Sequence, residues 1–441
     1  MTNIPNITSP TAFADVPART ATEITQAIAA GKLTASAAVA EVLRVVAQVE
    51  PSVHAWIHLA ADNALAHARA LDQANDEHGV LNGVPLGFKD NIDTFDMPTA
   101  YGSSIYTGKT PSRDAASVAL MRIAGGIALG KTVSTEFAHR HPGATANPWN
   151  PAHTPGGSSS GSAAAVGAGM VPIALGTQTT GSVIRPAAYC GVLGYKPTYA
   201  DINVAGVLPN TPSFDTVGVM ARCVDDLLLA RRALLDSSIE SLPAPQANQL
   251  RIGICRTPFW DAASADMQAL VMDAATALEH AGAKVFDFDE AGAFVDLESA
   301  NLAVSGYEFA RTLAHERLHA YDQLSPILRD GRMADGLRDK YADYVSAQRT
   351  LAQARMRLDS AFANVDFILT PAAPGAAPAG LDFTGSATFN MPWTSLHTPA
   401  VTLPVRRDSA GLPLGLQIAG ARYADAQLLS AARTVMATMR S

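Results

Sequence analysis

The sequence predicts an α/β fold with a mostly parallel or mixed sheet, and two observations support this prediction. Short apolar runs typical of buried strands alternate along the chain with amphipathic or alanine-rich stretches typical of helices. Hydrophobic residues make up 48% of the 441 residues and charged residues only 16%, so a large core is available. No apolar run approaches the roughly 18 residues needed to cross a bilayer, so we expect no membrane partner.

The first part of the chain, to about residue 78, is predicted to be helical. Thr34 is a candidate N-cap for a helix whose valines recur at helical spacing, and Pro51 is expected to follow the end of that helix. A second, alanine-rich helix is predicted over about residues 60–75.

Strands and helices alternate from residue 83 onward. Strands are predicted over residues 84–88, 128–131, 250–255, 284–288 and 365–369. Helices are predicted over 115–124 and 265–281, and Gly282 is expected to close the second one as the C′ residue, a position that favours a left-handed backbone. The stretch 237–249, SSIESLPAPQANQ, is either a linker or an ordinary surface loop.

Charge and cysteine content exclude several classes of function. The formal net charge is −8 and no basic block or stripe is present, which argues against a nucleic-acid partner. Three widely spaced cysteines indicate reduced thiols rather than a disulfide framework, and the N-terminal residues do not resemble a secretory leader. We therefore expect a cytoplasmic protein. Cys190 follows Ser182 by eight residues, but its apolar neighbours favour a packed thiol over a catalytic one.

A first Gly/Ser turn, GGSSSGS over residues 156–162, is followed directly by an alanine-rich run predicted as a helix. Composition alone is compatible with a flexible linker. A glycine-rich turn that opens onto a helix instead presents backbone N–H groups and hydroxyls to an anion. The Walker pattern is missing and G-x-S-x-G does not fit, so neither a P-loop nor an α/β-hydrolase elbow is predicted.

A second turn, GTQTTGS over residues 176–182, is also expected to present backbone N–H groups and hydroxyls to an anion. Successive amides of Thr179, Thr180, Gly181 and Ser182 are expected to form an oxyanion-binding nest. A hydroxyl at the end of this nest lies where an attacked carbonyl carbon would be. Ser182 is therefore the predicted nucleophile.

A serine nucleophile needs a base, and the histidines offer no diagnostic triad pattern. His139, His141 and His153 are loosely clustered, but without ligand spacing they are better interpreted as loop residues than as a metal site. Lys89 ends an apolar run, VPLGFK, which is expected to carry its amine into the interior. Because burial can lower a lysine pKa by about 3–5 units, Lys89 is a physically allowed base.

Long motifs in this chain resemble those of the amidase signature family. These are GVPLGFKDNID, GGSSSGSAAAVGAG and LGTQTTGSVIRPAAYCGVLGYKPT, followed near the C-terminus by FNMPWTSLHTPAVTLPV and GLPLGLQIAG. The resemblance extends over most of residues 15–435. It implies one domain over 1–441, with a helical N-terminal part (about 1–78), a signature core (about 79–236) and a C-terminal part (about 250–441). The implied fold is a central mixed β-sheet covered by helices on both faces.

The resemblance also implies a mechanism and a set of roles. Lys89 corresponds to the base, Ser158 to a bridging serine preceded by a cis peptide bond, and Ser182 to the nucleophile. The implied reaction is hydrolysis of a small carboxylic amide to acid and ammonia through an acyl-enzyme, without metal or cofactor. The alternative is a glutaminase subunit of a tRNA-dependent amidotransferase, and a homodimer is compatible with either function.

The chain departs from the family pattern at three places. Gln178 replaces an aspartate, Thr180 replaces a glycine, and the arginine that follows the nucleophile is Arg185. This variant resembles the malonamidase and biuret-hydrolase members. Arg185, Gln178 and Ser159 are predicted to bind substrate, and Thr180 to narrow the acyl pocket if its φ stays negative. For Arg185, recognition of a substrate anion and anchoring of backbone carbonyls beneath the site both remain open.

Overall fold

The computed structural model describes residues 18–74, 79–237 and 242–440. Within these ranges eleven strands form one mixed sheet in the order β1-β3-β2-β4-β6-β5-β10-β11-β9-β7-β8. The strands are β1 Trp56–Leu59, β2 Pro85–Lys89, β3 Ile127–Thr132, β4 Ile173–Gln178, β5 Leu193–Lys196, β6 Thr216–Ala221, β7 Arg251–Ile254, β8 Lys284–Asp287, β9 Phe367–Pro371, β10 Ala400–Arg407 and β11 Pro413–Ala419. Parallel pairs at β3-β2-β4 and β9-β7-β8 flank antiparallel ones, which confirms the predicted α/β class.

Helices cover both faces of this sheet. They are α1 Ala21–Ala29, α2 Ala35–Val53, α3 Ala61–Gln73, α4 Ala116–Ile123, α5 Ser160–Gly167, α6 Ile184–Tyr189, α7 Val224–Leu235, α8 Ala265–His280, α9 Leu297–Thr312, α10 Ala314–His319, α11 Ala334–Arg338, α12 Tyr341–Ala361, α13 Met391–Ser395 and α14 Asp425–Thr438. Successive residues of a strand point to opposite faces. Leu175 accordingly packs in a core with α7, whereas Ala174 packs in a second core with α2 and α5.

Two helix boundaries differ from the sequence predictions. Pro51 lies inside α2 rather than after it. The helix ends at Val53 and is capped by His54, which has a left-handed backbone and donates its N–H to Glu50 O. Helix α5 begins at Ser160, three residues before the predicted start, because the second half of the first Gly/Ser turn is itself helical. Thr34 does cap α2, and Gly282 has the predicted positive φ.

The segment 237–249 was predicted to be either a linker or a surface loop. Its described part is hydrogen-bonded to α14. Residues 238–241 lie outside the described ranges. The carbonyls of Leu242, Pro243 and Pro245 accept hydrogen bonds from Ser430 and Thr434 of α14. This part is therefore a surface loop. The continuous sheet, which uses strands from both sides of the loop, supports the proposal of a single domain.

Among the described residues, no helix is both long and apolar enough to span a bilayer. Every residue of β2 and β4 is buried within the protein. These two strands pair in parallel, with Phe88 opposite Leu175. Because parallel neighbours end at the same edge of a sheet, Lys89 is brought next to the end of β4 and the turn that follows it.

Candidate active site

Lys89 lies fully buried at the carboxyl end of β2. Its Nζ is 2.7 Å from Ser158 Oγ and 2.8 Å from Thr177 Oγ1. Asn91 Nδ2 also donates to Thr177 Oγ1, at 3.0 Å. Burial lowers the pKa of Lys89 from 10.5 to about 7, and the charge of Asp215 opposes that shift. Near neutral pH a large share of Lys89 is therefore uncharged and able to accept a proton.

The first Gly/Ser turn places Ser158 against this amine. The Gly157–Ser158 peptide bond is cis, as the resemblance implied. Gly161 then lets α5 approach the backbone of Val133 and Ala55, where a Cβ would collide with both. The turn is held there by Gly161 N–H, which donates to Val133 O at 3.0 Å. Close packing of this small-residue helix thus fixes the position of Ser158.

The second turn runs from the end of β4 into α6 and carries Ser182. Ser159 N–H donates to Ser182 O at 3.4 Å, so the two turns are in contact. Ser182 keeps 9% of its surface exposed and lines a cavity of about 200 Å³. Within the described chain, the N–H groups of residues 179–182 make no hydrogen bond to the protein, and all four residues line the same cavity. Four free amides beside a hydroxyl provide an electropositive pocket for an oxygen anion.

Gln178 holds this turn from behind. Its Oε1 accepts from the N–H groups of Val183 and Ile184 at 2.9 and 3.0 Å, and its Nε2 donates to Thr394 Oγ1 at 2.9 Å. Thr394 in turn donates to Thr180 O at 2.8 Å. Gln178 does not line the cavity, so its polar atoms stabilise the start of α6 instead of facing a ligand.

Ser159 likewise faces the protein interior rather than the cavity. Its Oγ donates to Thr177 O at 3.2 Å and accepts from Thr177 N–H at 3.3 Å. Thr180 does line the cavity and is not among the described residues with positive φ, so its side chain is accommodated without left-handed strain.

Arg185 matches the second of the two interpretations left open by the sequence. Its Nη1 donates to Gly385 O at 2.7 Å, and its Nη2 donates to Gly157 O at 2.5 Å and to Thr384 Oγ1 at 3.3 Å. The side chain is buried, although it still forms part of the cavity wall. Arg185 therefore ties the first turn to the segment 384–385.

Several residues at the site were not identified from sequence. Thr177 is the second partner of Lys89, and Asp215 lies behind the nest, accepting from Thr179 Oγ1 at 2.5 Å. Burial raises the pKa of Asp215 to about 6, although the hydrogen bonds that it accepts stabilise its charge and act in the opposite direction. Arg140 and Arg332 also line the cavity. Thr177 belongs to the second Gly/Ser turn, but no local sequence pattern distinguishes Asp215, Arg140 or Arg332.

Two groups of residues lie near the site without lining the cavity. Tyr101, Tyr106 and Phe137 pack together in an apolar cluster. Residues 390–397 support the second turn from behind: a Cβ at Gly181 would collide with Asn390. The histidines do not assemble, and the described ranges hold no cluster of three groups suited to a metal ion.

Comparison with known proteins agrees with this geometry. The profile of the Amidase family matches residues 37–429, so the chain belongs to that family and is an enzyme acting on amide C–N bonds. A glutamyl-tRNA(Gln) amidotransferase subunit of Lachnospira eligens is 32% identical, covering 93% of this chain and 96% of its own length. The corresponding protein of Shouchella clausii is also 32% identical, with 92% and 94% covered.

Solved structures of similar fold include amidases. One described only as an amidase superposes with a TM-score of 0.87 at 26% identity, covering 95% of this chain and 99% of the other. Peptide amidase from Stenotrophomonas maltophilia gives 0.81 at 27% identity, with 96% and 97% covered. A protein from a "vestigial protein complex" tied to the origins of an s-triazine catabolic enzyme gives 0.85 at 28% identity, with 95% and 98% covered.

Proposed function

We propose that this chain hydrolyses a small carboxylic amide to the acid and ammonia through an acyl-enzyme on Ser182. The observation that carries the proposal is the buried amine of Lys89, 2.7 Å from Ser158 Oγ and beside the turn that bears Ser182. A lysine in this setting replaces the histidine of more familiar serine hydrolases as general base.

In the first step, neutral Lys89 accepts the proton of Ser158 while Ser158 accepts the proton of Ser182. Ser182 Oγ then attacks the amide carbonyl carbon. The negative charge that develops on the carbonyl oxygen is stabilised by the free N–H groups of residues 179–182. Removing one such donor typically costs about 3–4 kcal/mol in the barrier.

In the second step the proton returns along the same path. Lys89 gives its proton back to Ser158, which protonates the departing nitrogen, so the C–N bond breaks and ammonia leaves. Water then attacks the ester, with the same residues acting as base and acid in turn. The sum of the two steps is amide plus water giving acid plus ammonia, and the enzyme is regenerated.

The size of the cavity favours a small substrate. Its volume of about 200 Å³ lies below the roughly 300–1,000 Å³ of sites that hold drug-sized ligands. This supports the subgroup of amidases that act on short polar amides, such as malonamidase-like and biuret-hydrolase-like members.

A second candidate is the glutaminase subunit of a tRNA-dependent amidotransferase. It is favoured by the relatives named as subunits of such enzymes, which match along most of this chain. In that case the same residues would release ammonia from glutamine for use by a partner protein. Glutamine turnover that appears only when a partner protein co-purifies would favour this candidate.

The experiment is ammonia release by the purified chain from malonamate, biuret, glutamine, acetamide and an aryl acetamide. Ser182→Ala is the test variant, and Ser160→Ala, in the first turn but outside the relay, is the matched control. We expect turnover of a short polar amide that is lost in Ser182→Ala and kept in Ser160→Ala. Turnover that survives in Ser182→Ala would contradict the proposal.

We also propose a cytoplasmic location, which the three free cysteines support because thiols persist in reducing compartments. Fractionation of the producing cells tests it, and recovery of the protein with secreted material would contradict it.

A further inference from the structure

Two consecutive residues beside the cavity have an unusual backbone conformation. Phe137 has a φ of 47° and Ala138 a φ of 54°, and within the described ranges no other two consecutive non-glycine residues have positive φ. A left-handed backbone brings Cβ too close to the following carbonyl oxygen, so it persists only where the surrounding structure holds it. Residues 138–140 line the cavity beside Ser182. The strained pair therefore determines where this part of the cavity wall lies.

Asn210 holds both residues of the strained pair. Its side chain is 2% exposed, and its Nδ2 donates to Phe137 O at 3.1 Å and to Ala138 O at 3.4 Å. No backbone N–H of the described chain donates to either carbonyl. An amide nitrogen carries two N–H donors, so Asn210 pairs each carbonyl with one of them. Without this side chain, both buried carbonyls would lose their partner.

The oxygen of the same amide is also fully used. Oδ1 of Asn210 accepts from Arg332 Nη1 at 3.0 Å and from Thr211 Oγ1 at 3.1 Å. Because the oxygen faces two donors and the nitrogen faces two carbonyls, only one orientation of the amide satisfies all four groups. Arg332 lines the cavity as well. One buried side chain thus ties the segment 137–140 to a second part of the cavity wall.

The backbone of Asn210 is joined to the second Gly/Ser turn. The N–H groups of Asn210 and Thr211 donate to Asp215 Oδ2 at 2.7 and 2.9 Å. Oδ1 of Asp215 accepts from Thr179 Oγ1 at 2.5 Å. This loop therefore contacts two parts of the cavity lining, since its backbone reaches the second turn and the Asn210 side chain reaches the strained pair. A substitution at Asn210 removes the side-chain link and leaves the backbone link in place.

We propose that Asn210 is a positioning residue that holds residues 137–140 in place at the cavity and thereby limits the acyl group that the cavity admits. The limit on the acyl group rests on the proposed function, whereas the holding of the strained pair does not. Residues 138–140 and 179–182 line one cavity of about 200 Å³. In so small a volume, a displacement of the wall by the width of a methylene group changes which substrates fit.

The first test varies only the length of the acyl chain. Acetamide, butanamide and hexanamide are neutral, unbranched primary amides, and kcat and KM are measured for each with the wild type and with Asn210→Ala. We expect the wild type to prefer butanamide over hexanamide by at least about 10-fold in kcat/KM. In Asn210→Ala that preference should fall below about 3-fold, through a higher KM for the short amides and little change in kcat.

Two results of this series would overturn the proposal. A wild type that accepts hexanamide as well as butanamide would show that the wall sets no limit. Equal losses of kcat for all three amides in Asn210→Ala would show a general structural role. Either result would leave the proposed amide hydrolysis intact.

A second substitution tests how Asn210 acts. Glycine adopts a positive φ about as readily as a negative one, so Ala138→Gly removes the need to hold residue 138. Asn210→Ala combined with Ala138→Gly should regain at least about 5-fold of the lost kcat/KM for butanamide, with Ala138→Gly alone as the reference for the missing methyl group. Additive losses in this cycle would overturn the proposal, because they would show that Asn210 does not act through the strained pair.

Asn203→Ala is the matched control, since Asn203 is an exposed asparagine whose Oδ1 accepts from Ala205 N–H at 2.8 Å. It should leave the preference among the three amides unchanged. Ala138→Gly also tests the strain without removing a hydrogen bond, so this test does not depend on the folding of Asn210→Ala. Its Tm should be at least that of the wild type, although glycine is usually destabilising. A lower Tm would overturn the claim of strain.

Hydrogen exchange separates this inference from catalysis. The N–H groups of Phe137 and Ala138 donate to backbone carbonyls at 2.9 and 3.0 Å, so their exchange measures local opening. We expect exchange in residues 137–140 to be at least about 10-fold faster in Asn210→Ala, with unchanged exchange in α6. If no amide is turned over but this increase appears, the proposed function fails and the role of Asn210 in holding the pair stands. Unchanged exchange in residues 137–140 would overturn the inference even where amides are hydrolysed.

Discussion

The floor and the rim of the cavity are built in opposite ways. The floor is the name used here for Lys89, Thr177 and Ser158, which lie behind the lining residues of the cavity. All three are buried and lie at strand ends or in a tight turn of the central sheet. The rim includes Arg140 and Arg332, which come from a loop and from the π-helical segment Ile327–Met333 and remain partly exposed. Rigid strand ends suit groups that must exchange protons over fixed distances, whereas loops can vary with the substrate.

The largest effect should come from removing the base in the floor. Lys89→Met keeps the length and apolar body of the side chain but has no proton acceptor. We expect kcat to fall by at least about 10³-fold, because residues of a catalytic relay act as a unit. The measurement is ammonia release on the preferred amide, with circular dichroism to establish that the fold is kept.

Lys109→Met is the control for that change, since Lys109 lies over the rings of Tyr101 and Tyr106, away from the cavity lining. It should retain wild-type kcat. An active Lys89→Met enzyme would contradict the assignment of Lys89 as the base.

A smaller loss is expected when the second partner of Lys89 is removed. Thr177→Val deletes the oxygen that accepts from both Lys89 and Asn91 while keeping the side-chain shape. Leaving buried donors unpaired costs about 1–3 kcal/mol, so kcat should fall roughly 10- to 100-fold with little change in KM. Thr177→Ser, which restores the hydroxyl, should recover most of the activity, and a failure to do so would show that packing of the methyl group matters instead.

Gln178→Ala should act on stability and on the turn together. It leaves the N–H groups of Val183 and Ile184 and the hydroxyl of Thr394 without their present partner. We expect the free energy of unfolding to fall by about 2–4 kcal/mol, measured by denaturant titration. A loss below about 0.5 kcal/mol would indicate that water replaces the side chain without cost.

The smallest effect concerns pH. Because Lys89 must be neutral to act and its pKa lies near 7, kcat/KM should rise with pH through that region and then level off. Asp215, whose pKa is about 6, is mostly ionised there and favours the protonated amine. Asp215→Asn removes that charge, so the pKa of Lys89 falls and the rise should move to lower pH. An unchanged profile, or a shift to higher pH, would contradict this electrostatic link.

Most of the floor could be predicted from sequence because its chemistry is local. An apolar run ending in Lys89 and two Gly/Ser turns are continuous segments whose conformation follows from their composition. Arg140 and Arg332 could not be found in this way, since they are far apart in the chain and share no motif with Ser182. Only the packing of the segment Ile327–Met333 against the site brings them together.

Gln178 and Ser159, which were predicted to bind substrate, have hydrogen bonds to backbone groups for a common physical reason. Backbone N–H and C=O groups beneath the two turns need partners. In a buried setting that need is met by the nearest polar side chains. Residues next to a nucleophile in sequence thus support the turn, and residues distant in sequence complete the cavity.

The most direct test of the central claim needs no knowledge of the substrate. The purified chain is treated with a sulfonyl fluoride, which reacts with activated serines, and the modified peptide is identified by mass spectrometry. We expect one adduct, on Ser182, formed at a rate that rises with pH near 7 and is lost in Lys89→Met and Ser158→Ala. An adduct on another residue, or labelling of Ser182 that is unchanged in both variants, would contradict the proposed Lys89–Ser158–Ser182 relay.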